Sequence, residues 1–207
     1  MSEVEWGDDM PEVPTAPEIA LEPALVILGR FQPFHRGHAA LMDAAIEEAK
    51  GGLCRIAIGS ANQPETLENP WNWEERAEMI RCWLDSEHPD SDVEIVAIPD
   101  INDPPLWVQH ASKYHGGPGF LFTSDGATAE LYRDAGWPII EVELENRESW
   151  EGWRIRSTLK MLSTVTEREA ALLVMQENVP KSVSELLFDQ GWLHRLAFLG
   201  RDFEVVG

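Results

Sequence analysis

The chain has 207 residues, 43% of them hydrophobic and 26% charged, a composition that fits one ordinary globular domain and excludes a wholly disordered chain. Aspartate and glutamate number 37 against 16 lysines and arginines, a formal net charge of -21. A field of that sign argues against nucleic-acid or anionic-membrane partners, although a local cluster of donors can still hold a small phosphate ligand.

The first 23 residues carry Glu3, Glu5, Asp8, Asp9, Glu12, Glu18 and Glu22 with no lysine or arginine, and Pro11, Pro14, Pro17 and Pro23 interrupt any regular element. This composition predicts a disordered or loosely attached acidic tail over 1–23, ahead of one domain over 24–207. No basic segment followed by an apolar one opens the chain, and no apolar stretch reaches membrane-spanning length, so the expected setting is cytoplasmic. Only Lys50, Lys113, Lys160 and Lys181 are lysines; such an acid-rich, lysine-poor balance points to a salt-adapted cytoplasm or to solubility alone. Cys54 and Cys82 have no metal-ligand spacing and are expected as small core residues.

From Ala24 the pattern changes. Ala24 to Leu28 is a continuous apolar run between Pro23 and Gly29 and predicts a buried strand. Gly37 to Lys50 has helical spacing and stops at Gly51-Gly52. Leu53 to Ile58 predicts a second strand. Asn72 followed by Glu75 reads as a capping box opening a helix to about Glu87. Further strands are expected at 93–98, 120–123 and 139–142, with helices at 106–114 and 127–135 between them. After Trp153 the pattern is helical, with Thr166 and Glu169 as a capping box and Pro180 opening another helix. Strands alternating with helices predict an α/β fold, a Rossmann-like parallel sheet with a helical C-terminal segment.

The densest chemistry follows the first strand, in Gly29-Arg-Phe-Gln-Pro-Phe-His-Arg-Gly-His38. Ligands of open α/β sheets bind at the carboxyl ends of strands. A helix N-terminus there offers backbone N–H groups and a positive dipole end to phosphate. Gly37 would let a ligand approach the backbone. His35 and His38, three residues apart, would point at the same phosphates, and Arg30 adds a planar cation. Two histidines could instead merely cap the helix or bind a metal; the preceding strand, arginine and glycine favour phosphate. Arg76, inside the second helix, reads as structural, in a surface ion pair with Glu75 or Glu78.

The segment resembles the H-x-G-H signature of the nucleotidyltransferase α/β phosphodiesterase superfamily, and the longer string resembles the archaeal-type nicotinamide-nucleotide (NMN) adenylyltransferases. The resemblance continues collinearly through Ile58-Gly-Ser-Ala61, Asn69-Pro-Trp71, Glu75-Arg76, Ile98-Pro-Asp-Ile-Asn102, Leu106-Trp-Val108, Arg147-Glu148 and Ile155-Arg156. It implies transfer of the adenylyl group of ATP to NMN, with Gly29, Arg30, Phe31, His35, Gly37, His38 and Arg156 on ATP, and Arg30, His35, His38 and Arg156 stabilising the transition state. It implies Asn62, Trp71, Asp100, Ile101 and Trp107 on the NMN side, with Trp107 stacked on the nicotinamide ring; for Trp71 a core position is an equal alternative. Mg²⁺ is implied on the ATP phosphates without a protein metal site, and a homo-oligomer is an expectation of the same kind. The chain departs from the family at Asn62-Gln-Pro-Glu65, at Thr123-Ser-Asp-Gly126 and at Glu151-Gly-Trp-Arg154. Alternatives are therefore a nucleotidyltransferase with another phosphorylated acceptor, or a nucleotide-binding protein without turnover.

Overall fold

The computed structural model describes residues 12–144 and 150–199. Five short strands form one parallel sheet: β1 (Leu25–Gly29), β2 (Cys54–Ile58), β3 (Val93–Ala97), β4 (Phe120–Thr123) and β5 (Ile139–Glu141). Their spatial order is β3-β2-β1-β4-β5. The chain therefore steps outward from β1 to β3, then returns to the other side of β1, which makes the gap between β1 and β4 the topological switch point. The intervening helices are α1 (Arg36–Ala49), α2 (Trp73–Glu87), α3 (Pro104–His115) and α4 (Gly126–Asp134). The remaining helices are α5 (Gly152–Leu162), α6 (Arg168–Met175), α7 (Lys181–Asp189) and α8 (Trp192–Arg195).

Strand identity follows from burial on both faces. All five residues of β2 are buried, as a central parallel strand covered on both sides requires. One apolar cluster joins β1 and β2 to α1, α2 and α5–α8, with Phe34, Met42, Ile80, Trp83, Leu159 and Val183 among its members. A second joins the opposite side to α3 and α4 through Val108, Ala111, Tyr132 and Trp137. Cys54 lies in the first cluster, where burial pushes its thiol up to about 11. The expected capping box of α2 is present: Asn72 accepts from Glu75 N–H at 2.9 Å, and Glu75 from Asn72 N–H at 3.1 Å. The box expected at Thr166 and Glu169 is absent. The N-cap falls one residue later, at Glu167, and the helix begins at Arg168, whose guanidinium is held by Asp189 of α7 at 2.7 and 2.8 Å.

The expectation of a loose tail fails for residues 12–23. They form no helix or strand, yet they are anchored along their length. The Trp73 indole donates to the Glu12 carbonyl at 3.0 Å, and Tyr114 to the Pro14 carbonyl at 3.4 Å. Ala16 packs on the second cluster. Arg55, buried in β2, donates to the Glu22 carbonyl at 2.7 Å and pairs with Glu94 at 2.6 Å. Low apolar content predicted looseness because it counts only side-chain burial; here backbone carbonyls serve buried donors. Residues 1–11 and Arg147-Glu148 lie outside the described residues.

Candidate functional site

The carboxyl ends of β1, β2 and β3 and the first turns of α3 and α4 surround a cavity of about 590 Å³. Gly29, Arg30, Ser60, Asp100, Trp107 and Thr128 are among its lining residues. It lies where the strand order reverses, as expected for an open α/β sheet.

The two histidines stand at the start of α1. His35 is the N-cap, and its Nδ1 accepts from Gly37 N–H at 3.2 Å. His38 Nδ1 accepts in turn from His35 N–H at 3.4 Å. The imidazoles thus cap the helix reciprocally, in a box built from rings instead of carboxylates. An Nδ1 that accepts carries no proton, so the proton of neutral His35 is on Nε2. For His35, capping and ligand binding are compatible, because they use opposite ring nitrogens. The rings are stacked, with centroids 3.6 Å apart, an arrangement that two cations would oppose. Burial, with Arg156 nearby, lowers His35 to about 4. Burial and the adjacent His35 hold His38 well below its ordinary value, partly offset by the Pro33 carbonyl. Both rings are therefore neutral near pH 7.

The N-terminus of α1 differs from its expected role as a set of open backbone donors. Arg36 N–H donates to the Asn178 carbonyl at 2.9 Å, and Gly37 N–H is taken by His35. A Cβ at Gly37 would fit tightly, 3.0 Å from Trp150 Cβ and 3.1 Å from the His35 ring. Phe31, expected on ATP, is 1% exposed. Its φ of 52° folds the ring back over Gly29, where a Cβ would meet it at 2.8 Å, and sets it edge-on to His38 at 4.8 Å. Phe31 supports a histidine from below.

Arg30 is exposed at the cavity rim. Arg156, from the first turns of α5, is half-buried and donates to the Gln32 carbonyl at 2.8 Å. Its guanidinium is held below its ordinary value by burial and by Arg30. Arg76 is not in a surface ion pair. It is 2% exposed and donates to the carbonyls of Arg30 at 2.7 Å, Gly59 at 2.8 Å and Ser60 at 3.2 Å. Burial and Arg30 lower it to about 10. Arg30, Arg76 and Arg156 thus form a cationic cluster on a strongly acidic molecule. The departing carboxylates are turned elsewhere. Glu151 accepts from Arg154 and from the Trp153 indole, each at 2.9 Å, and Glu65 faces Arg195 at 3.5 Å.

Trp107 is half-buried, lines the cavity and packs on the second cluster. Asp100 lines the same cavity, and its Oδ1 accepts from Asn102 N–H at 3.1 Å. Ile101 is exposed, and the cavity wall passes from Asp100 to Asn102 without it. Trp71 is 1% exposed in the first cluster, which corrects the expectation of ring stacking and realises the core alternative. Asn62 is also outside the wall. Both ends of its carboxamide are spent on Asp100, accepting from the N–H at 2.7 Å and donating to the carbonyl at 3.0 Å. Sequence reasoning missed Gln32 and Thr128, of which only Gln32, a polar residue inside the signature string, carried a signal; Ser60 and Asn102 stood within the strings that carry the resemblance.

Residues 26–185 match the family model described as cytidylyltransferase-like. The chain is similar to the nicotinamide-nucleotide adenylyltransferase of Thermococcus sibiricus, at 31% identity over 86% of this chain and 90% of that one. It is also similar to the enzyme of that name from Archaeoglobus fulgidus, at 31% identity over 85% and 97%. A solved bifunctional NMN adenylyltransferase/ADP ribose pyrophosphatase from Francisella tularensis shares the fold, with a TM-score of 0.61 at 19% identity. This chain covers 53% of that structure, so it spans about half the length of its solved neighbour.

Proposed function

The chain belongs to the cytidylyltransferase-like family, and from that premise we propose that it joins NMN and ATP to give NAD⁺ and pyrophosphate. The observation that carries this reading is the stacked, neutral His35–His38 pair near Arg156, a few residues after Arg30, which lines a cavity together with Asp100 and Trp107. An oxygen of the NMN 5′-phosphate attacks the α-phosphorus of ATP. The new P–O bond forms as the bond to the β-phosphate oxygen breaks, and pyrophosphate leaves with that electron pair. No protein nucleophile or proton transfer is needed, so catalysis is positioning and stabilisation of charge.

In this reading the His35 Nε2–H donates to a phosphate oxygen without carrying a charge, and His38 beside it serves the same phosphates. Arg30 and Arg156 neutralise the charge that grows toward pyrophosphate. Trp107 supplies a flat face for the cationic nicotinamide ring, and Asp100 and Asn102 flank it. Mg²⁺ would arrive on the triphosphate: the phosphate end is made of imidazoles and guanidiniums, which suit phosphate oxygens and not a hard cation. Among the described residues no group of three or more histidine, cysteine or carboxylate side chains could hold a metal. When bound, the ion would supply further neutralisation of the phosphates. No described helix is long and apolar enough to cross a membrane.

A coupled assay for NAD⁺ from NMN and ATP tests the proposal. Turnover with NMN well above that with other phosphorylated acceptors is expected; turnover only with a different phosphate would replace the acceptor.

A further inference from the structure

The β1–β2 ladder runs out where Gly59 N–H donates to the Gly29 carbonyl at 2.9 Å, and the β2–β3 ladder where Ala61 N–H donates to the Ile98 carbonyl at 3.0 Å. Beyond those points the loops that build the site have no strand pairing to fix their spacing. Two carboxamides take over, with the same geometry. Gln32, in the loop after β1, donates from Nε2 to the Trp71 carbonyl at 2.7 Å and accepts at Oε1 from Trp71 N–H at 3.2 Å. Asn62, in the loop after β2, makes the equivalent two bonds to Asp100 in the loop after β3. A carboxamide presents one donor and one acceptor side by side, as a peptide group does, so each clamp imitates one more rung of the sheet.

The two clamps share the loop after β2, which carries Trp71 as well as Asn62. Gln32 also reaches the other end of the site, because its own carbonyl accepts from Arg156 at 2.8 Å. A continuous set of bonds therefore runs from Arg156 through Gln32 and the loop after β2 to Asp100, beside Trp107. We propose that Gln32 and Asn62 are positioning residues that hold the phosphate end and the acceptor end of the cavity in one frame. In-line attack requires the acceptor oxygen and the α-phosphorus to be aligned, and a displacement of about 1 Å can cost on the order of a hundredfold in rate. Neither side chain touches substrate in this account, which rests on the adenylyltransferase reading above.

The test compares Gln32→Met, similar in length and unable to make either bond, with Asn62→Ala. For Asn62→Ala, the KM for NMN should rise about tenfold while the KM for ATP stays within about twofold, because Asn62 orders only the acceptor wall. For Gln32→Met, kcat should fall by roughly ten- to a hundredfold at saturating substrates. Asn62→Gln, which keeps the carboxamide at the wrong reach, should not restore the NMN KM. Equal rises in both KM values for Asn62→Ala, or wild-type kcat in folded Gln32→Met, would overturn the proposal. Should Gln32→Met not fold, the partly exposed Asn62 decides by its KM split alone. Should the wild-type chain not turn NMN over, the adenylyltransferase reading fails separately. Calorimetric affinities of NMN and ATP for the same Asn62 variant then decide the clamp by the same split.

Discussion

At the scale of single residues, the site works with neutral histidines in a cationic frame. His35 and His38 cap α1 through Nδ1, and in the proposed reading the Nε2–H of His35 is the donor to phosphate. Removing one donor aimed at a charged transition state should lower turnover by on the order of a hundredfold, so His35→Ala and His38→Ala should each lose about that much in the NAD⁺ assay. A folded double variant with wild-type turnover would remove the assignment. Trp107→Ala should weaken NMN binding about three- to thirtyfold, the range of a cation on an aromatic face, with ATP affinity little changed. A parallel loss of both affinities and of melting temperature would mean that Trp107 serves only the second cluster it touches. The depressed histidines also set the acid limit. His35 titrates near 4 in the fold, and so does His115, whose ring is buried against the Tyr132 hydroxyl at 2.8 Å. The unfolded chain binds these protons near pH 6.5. Stability is therefore present in full above pH 6.5 and is lost as pH falls from there toward 4. In that window each pH unit costs about 1.4 kcal/mol per histidine. Denaturant midpoints measured between pH 7 and 4 should fall accordingly, and His115→Phe should flatten part of the slope.

At the scale of elements, the segment before β1 belongs to the fold. Its Glu22 carbonyl satisfies a guanidinium nitrogen of Arg55, which is otherwise enclosed between Glu94 and the His115 carbonyl. Its backbone also ties Trp73 at the start of α2 to Tyr114 at the end of α3. Deleting residues 1–22 leaves a buried charged group short of an acceptor, a loss of about 1–3 kcal/mol. For a domain of this length that lowers the melting temperature by several degrees. An unchanged melting temperature would mean that these contacts add nothing over water. The α6–α7 connection is similarly functional in placement: Asn178 and Gln176 accept from the backbone and side chain of Arg36, between the two histidines. The helical C-terminal segment thereby braces the loop that carries the signature.

At the scale of the whole molecule, a net charge of -21 surrounds a site that gathers Arg30, Arg76 and Arg156. Carboxylate repulsion opposes the compact state, and salt weakens it as the screening length falls from about 10 Å at 0.1 M to about 3 Å at 1 M. The melting temperature should therefore rise between 0.1 and 1 M KCl. A flat or falling curve would assign the acidity to solubility alone.

The order of strands and helices was legible in the sequence because each element announces itself locally. Apolar runs such as Leu53 to Ile58, spacing such as Gly37 to Lys50 and the Asn72–Glu75 cap need no knowledge of distant residues. The His35–His38 signature was legible for the same reason: both rings, their glycine and the preceding strand lie within fourteen residues. The partners chosen across the fold were not. Asn62 stood as a ligand contact until its carboxamide was found on Asp100, 38 residues away, and Gln32 passed unnoticed although it holds Trp71, 39 residues away. Arg76 read as a surface residue because its acceptors are backbone carbonyls, which carry no signature in a sequence. Composition marked residues 12–23 as loose for a similar reason, since their anchors are carbonyl oxygens meeting Trp73, Tyr114 and Arg55. The sequence by itself determined which segments are strands, where they end to within a residue and what chemistry follows β1, because those depend on near neighbours. Only the tertiary structure decided which side chains line the cavity and which hold the loops, because a buried polar group takes whichever partner the packed chain brings within hydrogen-bond reach.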